Sequence, residues 1–375
     1  IAAETFVLLK NEGNLLPLKK QGKVALIGPL ANTRANLAGT WCVAYTPDKY
    51  STLKEGMERA LAGKATLLYA QGSNITRDAE LQKAGEFGKT IERGDDAQMK
   101  AEALAVAKEA DVIVAALGET ADMSGECASR TDLCLPDVQM ELLQELNKLG
   151  KPIVLLNFSG RPTVMTWENE NIPAILNVWF GGSEAADAIC DVVFGDKVPS
   201  GKLTMSMPQA VGQEPLYYNH QPTGRPVPEG TKEFRKYQSN YLDVRNDPLY
   251  PFGYGLSYTT FSYSDLQLSA TEMSPTGSVE ASVTVTNTGK VDATEIVQLY
   301  IRDLVASVSR PVKELKGFER ITLKAGESRK VTFAITPETL KFYNYDLKYI
   351  LEPGDFNIMV GPNSRDLKTA KLTVL

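Results

Sequence analysis

The stretch Leu117–Leu135, with the sequence LGETADMSGECASRTDLCL, decides how the first half of this chain is interpreted. It follows Asp111–Leu117, an unbroken apolar run that is typical of a strand buried on both faces. It precedes Pro136–Leu149, where apolar residues recur at helical spacing and Gly150 provides a stop. A connection of about sixteen residues is long for a strand-to-helix loop, in which roughly two to six residues are usual, and long loops often carry function.

Strands and helices alternate along the chain on both sides of this loop. Strand-length apolar runs occupy residues 23–28, 65–70, 111–117, 152–157 and 174–179, and helical patterns occupy residues 54–62 and 97–110. The alternation predicts an α/β three-layer sandwich with a doubly wound, mostly parallel sheet over residues 1–208, entered by a helix over residues 1–18. In such sheets ligands bind at the carboxyl ends of the strands, where the loop 117–135 begins.

The second half of the chain has a different hydrophobic period. From residue 263 onward apolar and polar residues alternate with period two, and turn signals recur between the runs. This pattern predicts an all-β, fibronectin type III-like sandwich over residues 263–375. Residues 209–262 are rich in Pro, Tyr and Gly and predict a connector packed against a folded surface, because its tyrosines would otherwise expose a large apolar area.

Composition narrows the possible partners. The chain has 375 residues, which favours two domains, and a net charge of −6 without a basic stripe, which argues against nucleic acid as a partner. Its apolar runs are no longer than strands, so no membrane span is expected. The first residues show neither an initiating Met nor a signal-peptide pattern, and we expect the chain to be part of a longer protein.

Several classes of site are disfavoured by missing motifs. The loop after residues 23–28 has no GxGxxG turn, which argues against a dinucleotide, and the four cysteines lack metal-ligand spacing. No cofactor and no metal are therefore expected. His220 is the one histidine and no GxSxG elbow is present, so a Ser-His-Asp hydrolase is disfavoured. Whether Cys127 and Cys134 form a disulfide is left open.

Catalysis by carboxylate side chains is the class of chemistry that these exclusions leave, and Glu126 is the candidate catalytic residue. Glu126 lies in the middle of the long loop beside Ser124 and Gly125, small residues that would let its side chain be presented without crowding. A carboxylic acid at such a rim can protonate a leaving oxygen when partial burial raises its pKa. The loop is equally consistent with a solvated surface segment that has no catalytic role. Trp41 is consistent with packing in the core or with stacking on a sugar ring.

The other charged residues of the loop are expected to brace it. A guanidinium beside a catalytic acid would favour the ionised form and weaken it as a proton donor. We therefore predict that Arg130 pairs with Glu119, Asp122 or Asp132 and not with Glu126.

Taken together, short motifs in order along the whole chain resemble the C-terminal portion of a glycoside hydrolase family 3 β-glucosidase of the bacterial periplasmic type. They are Val7-Leu-Leu-Lys-Asn11, Leu16-Pro-Leu18, Gly28-Pro29, Gly118-Glu119, Ser129-Arg-Thr-Asp-Leu133, Gly160-Arg-Pro162, Pro199-Ser-Gly-Lys202, Tyr250-Pro-Phe-Gly-Tyr-Gly-Leu-Ser-Tyr258, Val285-Thr-Asn-Thr-Gly289 and Leu315-Lys-Gly-Phe-Glu319.

The resemblance implies an N-terminal (β/α)₈ barrel, an α/β sandwich and a fibronectin type III domain. It implies retaining hydrolysis of terminal, non-reducing β-glucosyl residues, with a nucleophilic aspartate in a Ser-Asp-Trp context of the barrel. Glu126 matches the acid/base glutamate of the sandwich loop, Glu119 matches a more structural Gly-Glu, and Trp41 matches, more loosely, an aromatic on the aglycone side.

This chain lacks the barrel, and therefore the nucleophile and the sugar-clamping residues. We expect it to be inactive alone, to require that barrel as its partner, to act on a β-glucoside or oligosaccharide, and to be periplasmic or secreted. The alternative is a non-catalytic module that binds carbohydrate or protein.

Overall fold

A computed structural model describes residues 1–42, 44–83 and 91–375 of the chain. The described residues form two compact units, Ile1–Gly201 and Lys202–Leu375. The division lies ahead of the boundary predicted at residue 208, and the connector groups with the second unit. In the described ranges, no helix combines the length and apolarity that crossing a membrane requires.

The first unit is built on a six-stranded sheet. Its strands are β1 (Val7–Asn11), β2 (Lys23–Ile27), β3 (Thr66–Ala70), β4 (Val112–Gly118), β5 (Ile153–Phe158) and β6 (Ala174–Asn177). Its helices are α1 (Ala2–Thr5), α2 (Leu53–Leu61), α3 (Ala79–Lys83), α4 (Asp96–Glu109), α5 (Asp137–Asn147), α6 (Thr166–Asn171) and α7 (Ala185–Val193). The strand order is β1-β6-β5-β4-β2-β3, and every pair is parallel except β1 with β6. The predicted doubly wound α/β class is confirmed.

Helices cover both faces of this sheet. Along the sheet, the chain moves from β2 to β3 in one direction and then from β3 through β4 and β5 to β6 in the other. Because such crossovers are right-handed, α2 lies on one face of the sheet, and α4, α5 and α6 lie on the opposite face. Helix α2 packs closely against α7, since a Cβ added at Gly56 would lie 3.3 Å from the carbonyl oxygen of Ala186.

The predicted helix over residues 1–18 is wrong. The only α-helical residues in this range are Ala2–Thr5, followed later by a 3₁₀ turn at Glu12–Asn14. Val7–Asn11 forms the edge strand β1, antiparallel to β6, with a register shift between Leu8 and Lys10. Phe6, Val7, Leu8 and Leu9 are all buried. Four consecutive buried side chains suit a strand covered on both faces, and a short apolar run does not distinguish a strand from a buried helix.

Among the described residues, the second unit contains two large antiparallel sheets, one of which has a further parallel edge pair, and one small antiparallel sheet of two strands. Its elements are β7 (Phe261–Tyr263), β8 (Gln267–Leu268), β9 (Glu272–Met273), β10 (Val279–Asn287), β11 (Ala293–Asp303), β12 (Glu314–Leu323), β13 (Ser328–Ile335), α8 (Pro337–Leu340), β14 (Phe342–Tyr343), β15 (Tyr349–Ile350), β16 (Gly354–Gly361) and β17 (Lys368–Val374). One sheet has the order β13-β10-β7 with β8 also on β10, and the other has the order β12-β11-β16-β17-β9. Apolar residues of both sheets form one core, which confirms the predicted fibronectin type III-like sandwich.

The connector is irregular but packed. Its one 3₁₀ turn among the described residues is Val211–Gln213, and it reaches the first strand of the sandwich at Phe261. The Tyr218 ring stacks on Phe252 with centroids 4.2 Å apart and meets the edge of Tyr300 at 5.9 Å. Tyr300 belongs to β11, so connector aromatics cover part of the five-stranded sheet.

Candidate active site

The strand order brings two long loops to one place. Strand β2 lies between β3 and β4, and the chain leaves β2 toward one side of the sheet and β4 toward the other. The loops after both strands therefore start next to each other at the carboxyl edge, at a point where open α/β sheets form a crevice. Trp41 lies in the first of these loops and Glu126 in the second.

Glycines at the ends of these strands let the backbones pass at close range. At Gly28, which has φ +140°, an added Cβ would lie 2.1 Å from the carbonyl oxygen of Ala116. At Gly118, with φ +138°, it would lie 2.0 Å from that of Phe158. Both conformations favour glycine, so no side chain can replace them without moving the neighbouring strand.

A tight turn presents Glu126 at the tip of its loop. The Ala128 N–H donates to the carbonyl of Gly125 at 3.4 Å, and Cys127 has φ +57°, which matches the third position of a type II turn. Glu126 occupies the second position and is exposed. Among the described residues no hydrogen bond or ion pair engages its carboxylate, so the group is free to meet a ligand or another surface.

A buried carboxylate, Glu119, anchors the base of the loop. Its side chain is 1% exposed and pairs with Arg130 Nη1 at 2.9 Å and with Arg161 Nε at 3.0 Å. The hydroxyl of Ser159 donates to its other oxygen at 2.8 Å. Arg130 thus pairs with one of the three acidic residues predicted for it and, within the described residues, not with Glu126.

Arg161 connects this anchor to the tip. Its Nη2 donates to the carbonyl of Ala128 at 2.6 Å and also to that of Met123, on the other side of the turn. One guanidinium therefore holds both ends of the turn that carries Glu126. Sequence reasoning missed this role, although Gly160-Arg-Pro162 was among the motifs of the resemblance. A Cβ added at Gly160 would lie 2.2 Å from Ser124 Oγ, so this segment also packs directly under the tip.

The loop that carries Trp41 is tied to the same turn. Thr40 Oγ1 lies 2.7 Å from the carbonyl of Ser124, to which it donates, and a Cβ added at Gly125 would lie 3.0 Å from Thr40 Cγ2. Trp41 and Glu126 are the next residues after these two contact points. The Trp41 side chain is 70% exposed, so the core-packing interpretation is wrong.

Asp132 and Asp122 are the remaining residues that were predicted to brace the loop. The Cys134 N–H donates to Asp132 Oδ1 at 2.9 Å, and this bond lowers the pKa of the Asp132 carboxyl. Arg130 Nη2 donates to the carbonyl of Cys134 at 3.2 Å. Asp122 is half-buried in the 3₁₀ turn Ala121–Met123.

All four cysteines have free thiols, so Cys127 and Cys134 are not bridged in this structure. Burial raises the pKa of the Cys134 thiol to about 12, which makes it a poor nucleophile. Across the part of the chain that the structure describes, no group of His, Cys, Asp and Glu side chains is arranged to hold a metal ion.

Comparison with known proteins identifies the family. Residues 6–258 match the model of the glycosyl hydrolase family 3 C-terminal domain, and residues 295–364 match that of a fibronectin type III-like domain. The chain belongs to glycosyl hydrolase family 3. It spans about half the length of the curated relatives that it matches.

Two relatives and one solved structure illustrate the similarity. The chain is 46% identical to a periplasmic beta-glucosidase of Salmonella typhimurium, and 40% identical to a beta-xylosidase of Formosa agariphila; each match covers 100% of this chain and 49% of the relative. The crystal structure of a beta-glucosidase from Listeria innocua in complex with isofagomine has a TM-score of 0.88 at 38% identity, over 100% of this chain and 49% of that one.

Beneath the base of the loop lies a second buried carboxylate, Glu168 of α6. It is 1% exposed, and its Oε1 has no hydrogen-bond partner among the described residues. Its charge acts on the Cys134 thiol, and the Val164 N–H donates to the carbonyl of Leu133 at 3.0 Å, so this region supports the loop. Burial raises the pKa of Glu168 to about 7.

Glu168 should make stability depend on pH. Between the ordinary pKa of 4.5 and about 7 the folded state keeps a proton that the unfolded state has lost, so the free energy of unfolding falls as pH rises through this window. The loss from this group is about 3 kcal/mol at most. Urea unfolding between about pH 5 and 8 should show this slope in the wild type and a much smaller one in Glu168→Gln. The exposed neighbour Glu170→Gln is the matched control, and equal slopes in all three proteins would contradict the assignment.

Proposed function

We propose that the chain is the C-terminal part of a retaining β-glucosidase that hydrolyses terminal, non-reducing β-D-glucosyl residues. In this proposal Glu126 is the general acid/base, and the nucleophilic aspartate lies in an N-terminal barrel outside this chain. The observation that carries the proposal is the presentation of Glu126: an exposed carboxylate, without a partner among the described residues, at the tip of a turn that Arg161, Glu119 and Thr40 hold in place.

The geometry of the tip suits a proton donor that acts on a surface supplied by another domain. A general acid must reach the leaving oxygen to within hydrogen-bond distance, and Glu126 and its neighbours Gly125 and Cys127 are all exposed. Rigid support matters because a displacement of about 1 Å can cost about two orders of magnitude in rate. The guanidinium groups of Arg130 and Arg161 bind Glu119 and backbone carbonyls and not the carboxylate of Glu126, within the described residues.

The reaction would proceed in two steps. The barrel aspartate attacks the anomeric carbon while Glu126 gives its proton to the departing glycosidic oxygen, and a covalent glucosyl intermediate forms. Glu126, now ionised, then takes a proton from the water that hydrolyses the intermediate. The two carboxyl groups must lie about 5–5.5 Å apart for this retaining course. Trp41, exposed beside the tip, would stack against the aglycone.

Specificity for glucose is supported by the names of relatives. Both the Salmonella typhimurium protein and the Listeria innocua structure are beta-glucosidases, whereas the Formosa agariphila relative is a beta-xylosidase. A periplasmic or secreted location is part of the proposal, and the Salmonella typhimurium relative, a periplasmic beta-glucosidase, supports the periplasm. The competing proposal is a module that only binds carbohydrate or protein, and a barrel with a Ser-Asp-Trp aspartate encoded ahead of Ile1 would favour the enzyme.

The proposal is tested by assaying 4-nitrophenyl β-glucoside with the purified 375-residue chain, with the N-terminal half, and with both together. We expect turnover only when both parts are present, because each supplies one of the two carboxylates. Repeating the mixture with Glu126→Gln shows whether the gain depends on the proposed acid/base. Clear turnover by the chain alone, or none by the full-length protein, would overturn the proposal.

A further inference from the structure

The second unit contains a cavity of about 640 Å³ between the connector and the five-stranded sheet. Cavities that hold small ligands usually measure about 300–1,000 Å³, so this one has room for a molecule of several rings. Its lining residues lie between positions 206 and 365, all in the second unit, and none belongs to the loop that carries Glu126. No part of the proposed reaction uses it.

Buried contacts hold the connector against the five-stranded sheet beside the cavity. Tyr300 donates to Gln298 Oε1 at 2.5 Å, and the Gln298 amide donates to the carbonyl of Pro362 at 2.6 Å and to that of Gly253 at 3.1 Å. Tyr218, which lines the cavity, stacks on Phe252 against this network. A cavity wall that is already ordered loses little entropy when a ligand binds.

Polar groups from adjacent strands face the cavity. Arg302 of β11 and Asn357 of β16 are directly paired in register, and both line it. Within the part of the chain described, neither side chain has a hydrogen-bond or ion-pair partner. An arginine and an amide with free donors can bind hydroxyl and ring oxygens of a ligand. The Met359 side chain, two residues from Asn357, contributes apolar surface beside them.

The connector supplies aromatic walls. Tyr217, Phe234 and Tyr241 line the cavity and remain 61%, 49% and 40% exposed, an unusual exposure for large rings held in an ordered segment. The connector is attached to the sandwich beside them, where the Val312 N–H donates to the carbonyl of His220 at 3.0 Å. Rings of this kind cover the apolar faces of sugar rings.

The charges around the cavity nearly cancel. Four carboxylates line it together with five cationic side chains, namely Glu229, Glu233, Asp243, Asp247, Lys232, Arg245, Arg302, Lys313 and Arg365. Lys313 is already paired with Glu229 at 3.2 Å. A balanced lining of this type does not select a strongly charged ligand, whereas ring faces next to free donors suit a neutral one.

We propose that this cavity is a second saccharide-binding site, which holds a neutral oligosaccharide by stacking on Tyr241 and Phe234 and by hydrogen bonds from Arg302 and Asn357. The site goes beyond the proposed hydrolysis and does not depend on it, because Glu126, the group proposed to act on the glycosidic bond, is not among the residues that line the cavity. It would keep an oligosaccharide near an enzyme that acts on its end.

The test is isothermal titration of cellotetraose, and of tetragalacturonate as a charged probe, into the 375-residue chain that carries Trp41→Ala. That substitution removes the stacking ring beside Glu126, so binding that persists belongs elsewhere. We expect a Kd for cellotetraose of about 1 mM. Tyr241→Ala and Arg302→Met should each weaken binding at least about tenfold, while Phe318→Ala, an exposed ring outside the cavity, should leave it unchanged.

Three results would overturn the proposal: no heat of binding at about 10 mM cellotetraose, equal affinity in wild type and both cavity variants, or tighter binding of tetragalacturonate than of cellotetraose. Thermal unfolding of each variant checks that the sandwich is intact, and Tyr241 is exposed enough for its removal to leave the fold unaffected. Failure here would leave the proposed hydrolysis untouched, because turnover requires Glu126 and the barrel and not this cavity.

Discussion

Replacing Glu126 by glutamine in the full-length enzyme is expected to slow the hydrolysis of β-glucosides with poor leaving groups by about 100- to 10,000-fold, the usual contribution of general acid catalysis. Glutamine keeps the size of the side chain but cannot give up a proton. An activated aryl glucoside needs little protonation of its leaving oxygen, so its first step should lose far less rate. Comparing kcat/KM for cellobiose and 2,4-dinitrophenyl β-glucoside measures this difference.

Two further measurements make this test specific to Glu126. Ser129→Ala, an exposed position in the same loop, should leave both substrates unaffected. In Glu126→Ala, added azide should restore turnover of the aryl glucoside and yield β-glucosyl azide, because an anionic nucleophile attacks the covalent intermediate without a base. If both substrates lose rate equally and azide has no effect, Glu126 is not the acid/base.

The second large effect is expected at Glu119. Glu119→Gln leaves the guanidinium groups of Arg130 and Arg161 without their carboxylate, although their side chains are only 18% and 17% exposed. Breaking a buried pair from one side costs about 3–5 kcal/mol, so the free energy of unfolding should fall by about that amount. Urea unfolding of the 375-residue chain measures this change.

Glu126→Gln provides the matched control, because its carboxylate is exposed and unpaired among the described residues. Its stability should stay within about 0.5 kcal/mol of the wild type. Arg161→Lys keeps the charge but cannot span Glu119, Met123 and Ala128 at once. In the full-length protein, its loss of kcat/KM on cellobiose, converted to a free energy, should therefore exceed its loss in the free energy of unfolding. A Glu119→Gln protein as stable as the wild type would show that this network does not support the loop.

These experiments address different properties of one loop. Glu126 is expected to affect rate with little effect on stability, because it touches solvent. Glu119 is expected to affect both, because it is buried and acts on the tip through Arg161. The contrast arises from burial: both residues are glutamates of the same loop, and residue type alone does not separate their roles.

Much of the architecture could be predicted from local patterns. Five apolar strand runs, the helices between them and the change of period at residue 263 are properties of short segments, and the structure confirms both fold classes. The first strand was assigned incorrectly because Phe6–Leu9 is apolar without a period, and its partner, β6, lies far away in sequence. No local signal reports that contact.

The sequence by itself determined the two fold classes, the long polar loop after β4 and the placing of Glu126 within it, because periodicity and loop length are local quantities. Tertiary structure alone decided that Arg161 holds both ends of the turn, that Glu119 is its buried anchor, and that Thr40 brings the Trp41 loop to Gly125. Each of these contacts joins residues separated by tens of positions. They form because the carboxyl ends of neighbouring strands meet at one edge of the sheet, and this order is set by packing of the whole unit.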